Sequence, residues 1–91
     1  MGDIEILIGK AALLEQLAEE ATELAKAALK QARIIRGENP TPVTINEAYA
    51  SVMEEYADVV QCARELRLVV NEDQIRRKDI RWHNRINEGK K

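Results

Sequence analysis

Residues 18–30, AEEATELAKAALK, and residues 53–65, MEEYADVVQCARE, decide the fold. With Ala18 set on Met53, Glu19 falls on Glu54, Glu20 on Glu55 and Glu23 on Asp58. Leu24 falls on Val59, and Ala28 on Ala63. Each segment therefore carries Glu-Glu-x-x-acid in the same phase relative to its apolar positions. Those positions recur in steps of three and four, the period of one face of an α-helix. The first stripe reads Leu14, Leu17, Ala21, Leu24, Ala28 and Ile35. The second reads Val52, Tyr56, Val59, Ala63, Leu66 and Val70. No stretch alternates as a strand would.

The helix ends follow from local chemistry. Arg36-Gly37-Glu38-Asn39-Pro40-Thr41-Pro42 is the one clear break. A glycine there can close a helix in the left-handed conformation, and the two prolines prevent its continuation. The first long helix is thus expected over about residues 10–36. Thr44-Ile45-Asn46-Glu47 reads as a capping box and opens a second helix, about 44–70. Asn71, with Gln74 three residues on, caps a third, about 72–88, whose stripe is Ile75, Trp82 and Ile86. The stretch Asp3 to Gly9 fits either a short helix or an extended arm. A short connection makes the two long helices antiparallel neighbours. The expected fold is all-α, one domain over residues 1–91, a long antiparallel hairpin plus a third helix.

A chain of 91 residues buries only a modest core alone. Its long apolar faces favour assembly into an oligomeric helix bundle, a homodimer or homotetramer. With 14 basic and 16 acidic residues, net charge steers it to neither a nucleic-acid polymer nor a membrane. No apolar run is long enough to span a bilayer. The start, MGDIEILIGK, has acids where a secretory signal has bases. The one cysteine, Cys62, excludes an internal disulfide and fits a reducing compartment. A cytoplasmic protein is expected.

The acids form a constellation. On a helical wheel with Leu17 and Val52 as origins, Glu20 and Glu55 lie roughly 60° to one side, and Glu23 and Asp58 roughly 120°. Glu19 and Glu54 point further round, toward the back. Like charges at i and i+3 share a face and repel, which costs stability unless something neutralises them. Two such pairs on antiparallel helices can converge into the all-oxygen donor set that a hard divalent cation prefers. Mg2+ is the expected ion, with Mn2+ a substitute. The competing account is a solvated acidic edge on a non-catalytic helical oligomerisation module.

The third helix carries the opposite sign. Lys78, Arg85 and Arg81 lie at roughly 40°, 60° and 100° to one side of Trp82. Such a cationic strip suits the oxygens of a polyphosphate. Bases near a helix C-terminus also favour its dipole without any ligand. Trp82 sits on the apolar stripe, which favours packing over stacking on a base. Cys62 falls near the acidic side of the second helix and reads as a small buried filler.

Glu20-x-x-Glu23 followed by Glu55-x-x-Asp58, each on a long helix, resembles the paired acidic motifs of the MazG-like nucleotide pyrophosphohydrolases, of the all-α NTP pyrophosphatase superfamily. Leu24 after Glu23 and Val59 after Asp58 fit the pattern, as does a basic third helix with Lys78, Arg81-Trp82 and Arg85. The resemblance covers roughly residues 12–87. It implies paired antiparallel helices that assemble as dimers or dimers of dimers. It implies Mg2+-dependent cleavage of a nucleoside triphosphate between the α and β phosphates, giving the monophosphate and pyrophosphate. Glu20, Glu23, Glu55 and Asp58 would be the metal ligands. Lys78, Arg81 and Arg85 would bind phosphate, and Glu19 and Glu54 would orient water or the ligands. A member that binds nucleotide without turnover is a further alternative.

Overall fold

The structure is a computed structural model that describes residues 3–38 and 42–89. Four helices follow in order: α1 (Asp3–Ile8), α2 (Lys10–Arg36), α3 (Ile45–Glu65) and α4 (Glu72–Gly89). The described residues contain no strand. The segment before α2, open between helix and arm in the sequence, is a helix of 6 residues. Gly9 separates it from α2 with a φ of 89°, where a side chain would be strained.

α2 ends where expected. Gly37 adopts the left-handed conformation, its N–H donating to the Ile34 carbonyl and that of Glu38 to the Arg33 carbonyl. This double closure satisfies carbonyls that the helix end would otherwise orphan. Asn39, Pro40 and Thr41, named above as part of the break, lie outside the described residues. α3 opens on the expected capping box: the Thr44 hydroxyl accepts from the Glu47 N–H at 3.1 Å, and Glu47 Oε1 accepts from the Thr44 N–H at 3.4 Å. At α4, Asn71 Oδ1 accepts from the Gln74 N–H at 3.0 Å.

The expected helix over 44–70 stops at Glu65. Arg67 takes a φ of 60°, its N–H donating to the Arg64 carbonyl and that of Leu68 to the Ala63 carbonyl, both at 3.0 Å. This is the same closure that Gly37 makes, built on an arginine. Leu66 is buried at the turn, whereas Val69 and Val70 are 91 % and 65 % exposed. Val70 therefore does not continue the apolar stripe.

α2 and α3 pack along their length as the expected hairpin, with α1 against its open end. The seam is rotated from the expected one. On α2 it runs through Leu13, Leu17, Glu20, Leu24, Ala27 and Ile34; on α3 through Ala48, Val52, Glu55, Val59, Cys62 and Leu66, all buried or half-buried. The alternating steps of four and three are those of a coiled-coil seam. Leu14, Ala21, Ala28, Ile35 and Tyr56, expected in the core, are instead exposed. Among the described residues the buried core is Leu13, Ala48, Cys62 and Leu66. α4 packs against none of the other helices. Its stripe, expected to pack, is open, with Trp82 63 % exposed.

Candidate metal centre

The rotation of the seam carries two carboxylates into it. Glu20 on α2 and Glu55 on α3 both occupy seam positions and are half-buried, and Asp58 lies one turn along α3 from Glu55. One carboxylate oxygen from each of the three lies within 4.8 Å of the others. The sequence placed these acids at the edge of the hairpin; the helices bring them further in. Glu23, the fourth expected member, is outside this cluster. Its carboxylate is exposed and accepts from Lys26 Nζ at 3.5 Å. Glu19 and Glu54 are exposed, as expected of residues on the back.

Two further residues complete the surroundings. Gln16 Nε2 donates to Glu20 Oε1 at 2.8 Å, fixing that carboxylate from one turn earlier. Sequence reasoning passed over Gln16, although its spacing of four from Glu20 is the ordinary one for a helical side-chain pair. Cys62 is buried on the acidic side of α3, and burial followed by the charges of Glu20 and Asp58 pushes its thiol up. A thiol held protonated this way is a filler, not a nucleophile.

Burial, followed by the charges of Asp58, Glu20, Glu54 and Glu23, raises the Glu55 carboxyl above its ordinary value of 4.5. Among the described residues, no Lys or Arg forms an ion pair with Glu20, Glu55 or Asp58. The three carboxylates thus lack a cation of their own. Three carboxylate oxygens within 4.8 Å of one another are a donor set whose chemistry would suit a hard divalent ion.

The raised Glu55 carboxyl has a signed consequence for the metal-free protein. Below pH 4.5 it is protonated in both folded and unfolded chains and costs nothing. As pH rises from 4.5 through the higher folded value, the unfolded state ionises more readily and folding loses stability. Glu55→Gln should therefore be more stable than wild type at neutral pH, with the advantage vanishing toward pH 4.5. Urea midpoints of the two proteins across this range check it. A difference that does not change with pH would contradict the repulsion.

The basic residues lie elsewhere. Lys78, Arg81 and Arg85 are exposed on α4, and no ion pair engages them among the described residues. A groove of about 450 Å³ follows Gln74, Arg77, Lys78, Ile80 and Arg81. It is the open surface of one helix rather than an enclosed cleft. Because α4 contacts no other helix, one chain does not bring Lys78, Arg81, Arg85 or Trp82 to the carboxylates. Among the described residues no helix is long and apolar enough to cross a membrane. Comparison with protein-family models, curated proteins and solved structures finds no match for this chain.

Proposed function

We propose that the chain is a Mg2+-dependent nucleotide pyrophosphohydrolase, working in the cytoplasm as a homodimer or homotetramer. It would hydrolyse nucleoside triphosphates between the α and β phosphates to the monophosphate and pyrophosphate. One observation carries the reading: Glu20, Glu55 and Asp58 converge at the hairpin seam with no Lys or Arg paired to them among the described residues. Placing like charges together in a seam costs stability, and a bound divalent cation is what would offset it.

Glu20, Glu55 and Asp58 would hold Mg2+, or Mn2+ in its place, with Glu23 supplying a fourth carboxylate from the next turn of α2. When bound, the ion supplies Lewis-acid polarisation of a phosphoryl oxygen. Gln16 holds Glu20 in position through its 2.8 Å hydrogen bond. Lys78, Arg81 and Arg85 would bind the leaving pyrophosphate through charge-assisted hydrogen bonds. Trp82, exposed on the same helix, offers an aromatic face to the nucleobase. Glu19 and Glu54, on the outer face, would orient water or the ligating carboxylates.

The test is the product. Incubation with a panel of nucleoside triphosphates and Mg2+ should release pyrophosphate and the monophosphate, and chelation should stop it. Orthophosphate as the first product would contradict the assignment. Inactivity on every common and modified triphosphate would favour the non-catalytic oligomerisation module.

A further inference from the structure

Charge is divided along this chain. Residues 1–66 carry 12 acids and 6 bases, net −6, whereas residues 67–91 carry 4 acids and 8 bases, net +4. On the hairpin, Glu20, Glu55 and Asp58 gather on one side with no Lys or Arg paired to them among the described residues. On α4 the bases gather likewise. Gln74, Arg77, Lys78, Arg81 and Arg85 lie within an arc of about 100° to one side of Trp82, and Glu72 and Asp79 lie to its other side. All five are exposed, and no ion pair engages the four bases among the described residues. Glu88, the one acid within that arc, stands at the far end of α4.

The link lets the two charged sides meet. Residues 67–71 are all exposed, so no buried side chain there fixes the direction in which α4 leaves the hairpin. Packed helix axes lie about 8–10 Å apart, and a link of this length reaches roughly 17 Å when extended. The axial positions match as well. Asp58 and Glu55 stand roughly 12 and 16 Å back from Leu66, where α3 closes. Lys78, Arg81 and Arg85 stand roughly 9, 14 and 20 Å beyond Glu72, where α4 opens.

We propose that α4 is a strap that folds back antiparallel to α3, hinged at residues 67–71, and lays its basic side over the acidic side of its own hairpin. The structure holds the open arrangement, in which α4 packs against no other helix. A short link gives the strap a local concentration on the order of millimolar, so its own hairpin outcompetes a second copy present at micromolar concentration. The net negative hairpin also disfavours a foreign polyanion on the same strip. Exposed ion pairs are individually weak and screened by salt, so ionic strength sets the balance between open and closed. Closed, the strap brings Lys78 and Arg81 beside the carboxylates within one chain. Closure needs only the charges, so it is tested without metal or nucleotide and stands apart from the proposed activity.

Ser51 is exposed on the acidic side of α3, one turn before Glu55, and Trp82 is the only tryptophan. A nitroxide on Ser51→Cys, in a Cys62→Ala chain, therefore reports on α4 through the single indole N–H signal in NMR. At about 10 mM salt, where the Debye length is about 30 Å, the label should broaden that signal and remove most of its height. At about 1 M salt, where the Debye length is about 3 Å, the height should return. Arg77→Glu combined with Arg81→Glu should restore it at low salt, whereas Arg76→Glu, on the other side of α4, should not. If the paired glutamates unfold α4, the salt series on the unaltered strap decides. Spin-labelled chains mixed with isotope-labelled, unmodified chains should leave the signal sharp. A signal as tall with the label as without it at low salt, broadening that salt does not relieve, or broadening in the mixture would each overturn the proposal.

Discussion

Asp58→Asn is expected to reduce Mg2+-dependent turnover by about a hundredfold or more, with little or no loss of melting temperature in the metal-free protein. The first half follows if Asp58 is a ligand. A missing carboxylate weakens the hold on the ion and on the charge it stabilises, which typically costs a few kcal/mol of barrier. The second half follows from the electrostatics of the metal-free seam. Among the charges acting against Glu55, that of Asp58 raises its carboxyl most, second only to burial. Removing that charge relieves the metal-free seam rather than damaging it. Steady-state kinetics and thermal melts of the same preparation check both halves. A variant that loses activity because it no longer folds would make Asp58 structural and remove the metal reading of α3.

Lys78→Ala and Arg81→Ala should each lower turnover by about a hundredfold while moving stability by roughly half a kcal/mol or less. Both side chains are exposed on a helix that packs against none of the other helices, so neither holds the hairpin together. Any large effect on rate must then come from contact with substrate in the assembled protein. The loss should fall on turnover, because charge on the departing pyrophosphate develops in the transition state. Unchanged kinetics would leave the two residues as solvated bases beside the helix dipole.

The chain ends of the helices were legible because their chemistry is local. Thr44 and Glu47 cap α3 reciprocally, and Gly37 closes α2 in the left-handed conformation that glycine adopts at little cost. The close of α3 was not, because an arginine occupies the left-handed position at residue 67. The seam was half legible. Leu13 stands beside Leu14 and Ile34 beside Ile35, so α2 carries two adjacent apolar stripes of the same period. Periodicity alone does not say which stripe meets α3, and an apolar criterion rejects the true one because it contains Glu20. Three of the four expected carboxylates still come together without Glu23, since phase between the helices, not the choice of stripe, brings Glu20 to Glu55. That α4 stands clear of the other helices was not legible, because a lone amphipathic stripe does not state whose surface it covers.

Thermal unfolding with and without divalent metal tests the central claim, that Glu20, Glu55 and Asp58 form a metal centre. An ion that binds the folded chain alone at a hundred times its Kd adds about 2.7 kcal/mol. For a domain of this size that is on the order of 10 °C or more in Tm. The wild type should show such a rise with Mg2+ or Mn2+ but not with a monovalent salt of equal ionic strength. Glu55→Gln should start from an equal or higher Tm without metal and show no rise. Equal responses of the two proteins, or no response in the wild type at millimolar metal, would contradict the account.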